Sequence, residues 1–197
     1  MVSRGVAAAG LACLLACGPG ETATETASGA ADVQAATIAV TRLGPVADGS
    51  VRDGNMVIDH SVVQTLHVPS FEDRGVIEFD LRRLTGSVQR ATLILPVFNA
   101  KGPYPFRIDV YGYQANGVLE VADWGRGTLI KSFQYAGASE VRLEVTAKVA
   151  RLRQAGATGA GFVFRFAVPS DIDSNGPYLA FGSMEYRPAA RLRVETE

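Results

Sequence analysis

The feature that most constrains this chain is its punctuation: from Thr37 onward, short apolar runs are separated by Gly, Pro, Asn and Asp. Several runs alternate at period two. In the run that opens at Phe106, the residues Phe106, Ile108 and Val110 fall on one side and Arg107, Asp109, Tyr111 and Tyr113 on the other. Val141, Leu143 and Val145 alternate in the same way, as do Phe162, Phe164 and Phe166. An extended chain points successive side chains to opposite faces, so this pattern describes strands with one face in a core. Candidate strands cover residues 37–43, 56–58, 64–68, 75–80, 89–98, 106–113, 128–133, 140–146, 161–168, 178–181 and 190–195. Many short strands with turn signals between them predict an all-β class, a sandwich or jelly roll. One stretch, 145–154, has helical spacing: Thr146 is placed to cap it, with Val149 and Leu152 on one side, for one or two turns.

At 197 residues, with 47% hydrophobic and 20% charged content, the chain suits one globular domain plus appendages. Sixteen of its nineteen basic residues are Arg, yet twenty acidic residues leave the net charge at −1. A nucleic-acid binder needs a concentrated basic excess to displace counterions from phosphate, so that class is excluded. Both cysteines, Cys13 and Cys17, fall in the first seventeen residues. The folded part therefore has neither a disulfide nor a thiolate metal site.

Those first residues read as an address. Arg4 supplies a positive start, and an uncharged apolar run follows from Val6 to Ala16. As a helix this run is only about 16 Å long, too short for a ~30 Å hydrocarbon core, so it fits a signal peptide. It ends in Leu14-Leu15-Ala16-Cys17, which resembles the lipobox of bacterial lipoproteins. That resemblance implies acylation of Cys17, cleavage before it, and anchorage in a lipid bilayer. Gly18 stands where an inner-membrane retention signal has Asp, so in a cell with two membranes the resemblance points to the outer one. Residues 18–36 are dominated by Gly, Ala, Thr, Ser and Glu and read as a flexible tether. The expected organisation is therefore a signal peptide (1–16), a lipidated Cys17 with linker (17–36), and a β-sandwich domain (37–197).

Across roughly Val46 to Val194 the order of features resembles the DNRLRE-type domains of bacterial exported proteins, which overlap a carbohydrate-binding module family. The matching pieces are an Asp-containing opening strand at Ala47-Asp48-Gly49-Ser50-Val51, then Phe79-Asp80-Leu81, then Ala91-Thr92-Leu93-Ile94-Leu95. Ile108-Asp109-Val110-Tyr111 follows, then Glu120 with Trp124, Val145-Thr146-Ala147-Lys148-Val149, and Gly161-Phe162. The resemblance implies a jelly-roll β-sandwich serving as a surface module, in some relatives one that binds acidic polysaccharide. It carries no ligand residue across position by position.

Chemistry is sparse. His60 and His67 match no metal spacing, and no nucleophile elbow or phosphate-cradling Gly loop is present. Asp59, Glu72, Asp73, Asp80 and Asp123 are carboxylates whose pairing for glycoside cleavage sequence alone does not exclude, but solvated loops and turns are the favoured account of them. Asp171, Asp173 and Asn175, followed by Gly176, copy the first half of a calcium loop. Good turn chemistry explains the same residues. Tyr104, Tyr111 and Tyr113, with Tyr135 and Tyr178 behind them, are candidates for stacking on sugar rings, and Arg107 beside Tyr111 suits an acidic glycan. Trp124 reads as structural. The expectation is a non-catalytic, membrane-anchored module that binds polysaccharide or cell-envelope glycan, with calcium as its one candidate cofactor. A protein-interaction module without sugar affinity and a small polysaccharide-degrading enzyme are the alternatives.

Overall fold

The computed structural model describes residues 37–59, 62–102, 104–167 and 176–197. The expected signal peptide, Cys17 and the expected tether, together with His60, Asp171, Asp173 and Asn175, lie outside them. The described chain is all-β. Its strands are β1 (Ala39–Leu43), β2 (Pro45–Arg52), β3 (Met56–Asp59), β4 (Val62–Val68), β5 (Phe71–Asp80), β6 (Val88–Lys101) and β7 (Phe106–Gln114). After a short 3-10 helix at Val121–Gly125 come β8 (Thr128–Tyr135), β9 (Glu140–Glu144), the helix α1 (Thr146–Gln154), β10 (Gly159–Phe166), β11 (Tyr178–Gly182) and β12 (Arg191–Thr196). Most fall on the predicted runs; β2, between the first two of them, was not among those runs.

The pairings are antiparallel and follow one path, β1-β12-β6-β11-β4-β5-β10-β7-β8, with β9 on β6, β2 on β5 and β3 on β2. The sheet curls because β6 serves two neighbourhoods. Its first half pairs with β12 and β9, and its second half pairs with β11. Between Val97 and Asn99 the register slips by one residue, leaving Phe98 as a bulge. A bulge adds twist and bends its strand.

Side chains from both flanks of the curl meet in one core. Leu93, Leu95, Leu143, Leu192 and Val194 come from one flank, and Ile77, Phe79, Ile108, Val110, Phe162, Phe164 and Phe181 from the other. The rings of Phe79 and Phe162 meet edge-on at 6.1 Å, and those of Phe164 and Phe181 at 5.1 Å. Each such ring contributes about 2–3 kcal/mol through removal from water. The alternation predicted for β7 holds on this face, with Phe106, Ile108 and Val110 all inward.

The opposite face departs from simple alternation. Residues 115–127 fold back over β5, β10 and β7, so Val51, Val76, Tyr113, Ala115 and Val163 form a second, smaller core with Leu119 and Trp124 packed against it. Trp124 is thus structural, with the Arg74 guanidinium 3.9 Å above its ring and bonded to its carbonyl at 2.7 Å. The helix α1 buries Val149 and Leu152 as its spacing requires. Thr146 does not cap it. Val145 holds the cap position, and the Thr146 hydroxyl instead accepts the Ala91 N–H at 2.8 Å and donates to Glu144 at 2.6 Å, tying the helix to β6.

Gly161 on β10 lies beneath the Tyr113 ring: a Cβ there would sit 2.3 Å from the nearest ring atom. The ring cannot retreat, because its hydroxyl is fixed on Glu78 at 2.6 Å. Gly161→Ala is expected to destabilise the fold by about 1–3 kcal/mol, through overpacking. Gly44→Ala, where a Cβ meets nothing within 4 Å, is the control and should shift stability by less than about 0.5 kcal/mol. Urea unfolding of the two variants checks this; equal midpoints would refute it.

Candidate functional site

The outer face of β1, β12, β6 and β9 carries the densest chemistry among the described residues. Along β6 the outward positions are Arg90, Thr92, Ile94, Pro96 and Phe98, the last standing at the bulge. Register sets their neighbours. Arg193 lies between Arg42 and Thr92, with Glu144 beyond, and Ile94 lies between Arg191 and Arg142. Lys131 of β8 reaches the same open groove, which is lined by Arg90, Thr92, Ile94, Arg142, Glu144 and Arg193.

Three carboxylates pair with four of these cations. Arg142 and Arg191 reach Glu140 at 2.6 and 3.4 Å, Arg90 reaches Glu144 at 3.7 Å, and Arg193 pairs with Glu195. Six cations therefore face three carboxylates. Exposed pairs of this kind contribute at most about 1 kcal/mol, so an incoming anion can replace them cheaply. Guanidinium groups suit that exchange, since each offers two parallel donors to a carboxylate or sulfate.

At the far end of this face Phe98 meets Tyr186, from the loop between β11 and β12, with ring centroids 4.8 Å apart and planes tilted by 42°. Phe98 is 53% exposed and Tyr186 39% exposed, and Met184, in the same loop as Tyr186, is 44% exposed. The loop that presents Tyr186 is built in. Met184 N–H donates to the buried Asp48 carboxylate at 2.8 Å, and Tyr186 N–H donates to the Ser183 carbonyl at 3.2 Å. From Phe98 to Thr92 is about 20 Å at the strand rise, so rings and guanidinium groups share one elongated surface.

The residues singled out from sequence are distributed differently. Arg107 and Tyr111 do share the outer face of β7. Arg107 is bonded to Ser132 at 2.9 Å and lies 3.4 Å from Asp109, while Tyr111 is half-buried with the Arg165 guanidinium 5.0 Å from its ring centroid. Tyr104 is exposed but precedes β7 and leans on Phe106 and Tyr135 at 5.4 and 5.6 Å, at the end of the core and off that face. Tyr113, expected to be exposed, is only 5% exposed, because residues 115–127 cover it. Tyr135 is buried in the main core, and its hydroxyl donates to the Ala138 carbonyl at 2.9 Å. Among the described residues no three His, Cys, Asp or Glu side chains gather into a metal-binding group. Of the candidate acids, Glu72 holds Arg74, Asp73 holds Arg52 and Gln64, Asp80 holds Arg82, and Asp123 holds Arg126.

Phe98 lies on the outward parity of β6 and was legible as such; the pair escaped sequence reasoning because a loop brings Tyr186 to it. The arginines were legible: Arg142, Arg191 and Arg193 alternate with inward Val141, Leu143 and Leu192.

Beneath the covering segment lies a buried polar cluster. Glu78 accepts from the Tyr113 hydroxyl at 2.6 Å and from the Gly117 N–H at 2.7 Å. Burial pushes its carboxyl above the usual range, against the downward pull of those two donors. Asp123 is likewise raised by burial, opposed by the Glu120 N–H at 2.8 Å and by Arg126 at 2.9 Å. A carboxyl raised in the folded state holds its proton more tightly there than in the unfolded chain. Its contribution is full below the ordinary carboxylate pKa and declines as pH rises through the raised value. In urea titrations from pH 4 upward, the stability of the parent chain should fall relative to Glu78→Gln as pH rises. Parallel curves for the two proteins would overturn this assignment.

No protein-family model matches the chain, and no relative is found among curated proteins.

Proposed function

We propose that this chain is an exported lipoprotein, held on a bilayer by acylated Cys17, whose jelly-roll β-sandwich body binds polysaccharide or cell-envelope glycan without turning it over. One observation carries the reading: a single sheet face joins an exposed aromatic pair, Phe98 and Tyr186, to a row of arginines in cationic excess. A sugar ring offers an apolar face for stacking on aromatic side chains. The carboxylate or sulfate groups of an acidic polymer offer partners for Arg90, Arg142 and Arg193. The family resemblance, with its implied acidic polysaccharide, agrees with that chemistry. Arg107 and Tyr111 lie on a separate and more occupied surface, so the reading moves to the arginine face. In a cell with two membranes the outer membrane is the proposed location, and calcium bound by Asp171, Asp173 and Asn175 would pin a loop.

Affinity electrophoresis of the Cys17→Ser chain through gels containing alginate, pectin or neutral glucans tests the reading, with and without chelator. Acidic polymers should retard the chain. Phe98→Ala and Tyr186→Ala should each weaken retardation roughly two- to tenfold, the loss of one ring contact. Arg193→Ala should weaken it too and flatten its dependence on salt. Loss of retardation with chelator alone would assign the binding to calcium. Unchanged mobility in every gel would remove glycan binding and favour a protein partner for the exposed rings.

A further inference from the structure

The chain enters its described body at one end of the curled sheet. Ala39 opens β1 opposite Thr196, and Thr196 pairs with Val88 at the start of β6. Ser87 and Glu197 exchange backbone hydrogen bonds at 3.0 and 3.1 Å. From there the 81–87 turn runs to α1, where Arg153 donates to the Leu84 carbonyl at 2.9 Å. The start of β1, the 81–87 turn and α1 therefore share one end of the molecule.

That end is basic. Thr146–Gln154 contains Lys148, Arg151 and Arg153 and no carboxylate. Arg83 is exposed on the turn and Arg151 on the helix. The carboxylates nearby are fewer than these cations: Asp80 is paired with Arg82 at 2.7 Å and Glu144 with Arg90 at 3.7 Å, while Glu197 keeps its charge beside the neutral Gln89 at 2.8 Å.

We infer that this end, centred on Arg83, Arg151 and Arg153, is a docking surface for the anionic lipid headgroups of the membrane that anchors the chain. The inference rests on the lipid-anchor reading and on where the chain comes in. Nineteen residues, 18–36, separate Cys17 from the described body, a span of at most about 65 Å. The end of the body at which the chain enters is one where guanidinium groups outnumber carboxylates. Anionic leaflets attract such groups within a Debye length, and anchoring makes that encounter intramolecular.

The test uses the full chain purified from membranes and reconstituted in vesicles of phosphatidylcholine, alone or mixed with phosphatidylglycerol. Arginines are modified with phenylglyoxal and located by mass spectrometry. Arg83 and Arg151 should react about fivefold more slowly on phosphatidylglycerol vesicles, and added salt should erase the difference. Arg187, exposed in the loop between β11 and β12, serves as the unprotected control. Equal rates at Arg83 and Arg151 on both vesicles would overturn the proposal, as would protection by soluble alginate but not by phosphatidylglycerol. The same spectra weigh the peptide holding Cys17. An unmodified Cys17 would remove the anchor reading, while the arginine rates would still decide the docking surface.

Discussion

The hydrogen bond from Tyr113 to Glu78 determines what the outer surface of this sheet can be. Both residues belong to the outward series of their strands, where a tyrosine and a glutamate would ordinarily meet water. Here the Glu78 carboxylate also takes the Gly117 N–H, so one buried acid joins two strands to the segment that covers them. Arg74 stacked on Trp124 and Arg126 bonded to Asp123 hold the rest of the cover in place. Leaving such donors and acceptors unmade in a dry site costs about 1–3 kcal/mol each, so the cover and the cluster are mutually dependent. With β5 and β10 buried on both faces, free sheet surface is left chiefly on the flanks, and the arginine face occupies one of them.

The limits of sequence reading follow from the same arrangement. Period-two alternation in β7, β9 and β12 correctly separates inward from outward residues, because it is a property of the strand itself. Alternation does not reveal whether the outward side meets water. Tyr113 and Tyr111 are equivalent by pattern and differ only because residues 115–127 return over one of them. Thr146 failed as a cap for a related reason: its hydroxyl found the Ala91 N–H, a partner 55 residues away.

The candidate site divides in the same way. Arg142, Arg191 and Arg193 were readable as outward residues, but their convergence depends on the register of β6 with two partners distant in sequence. Phe98 continues the outward series of β6, but its meeting with Tyr186 depends on a loop whose path is set only once β11 and β12 have both paired with β6. Features encoded within one strand were visible, and features created by pairing two strands were not.

The pairing of β1 with β12 has a mechanical consequence. Five residue pairs join the first strand of the body to the last, and of the residues in β1 only Leu43 is deeply buried. A pull on Ala39 along the strand axis, against a body held at its far end, stretches that ladder in shear, with its hydrogen bonds sharing the load. A sideways pull opens the same ladder from Ala39 one pair at a time. The resistance of this closure thus depends on the direction in which β1 is drawn, and not only on how many pairs it makes.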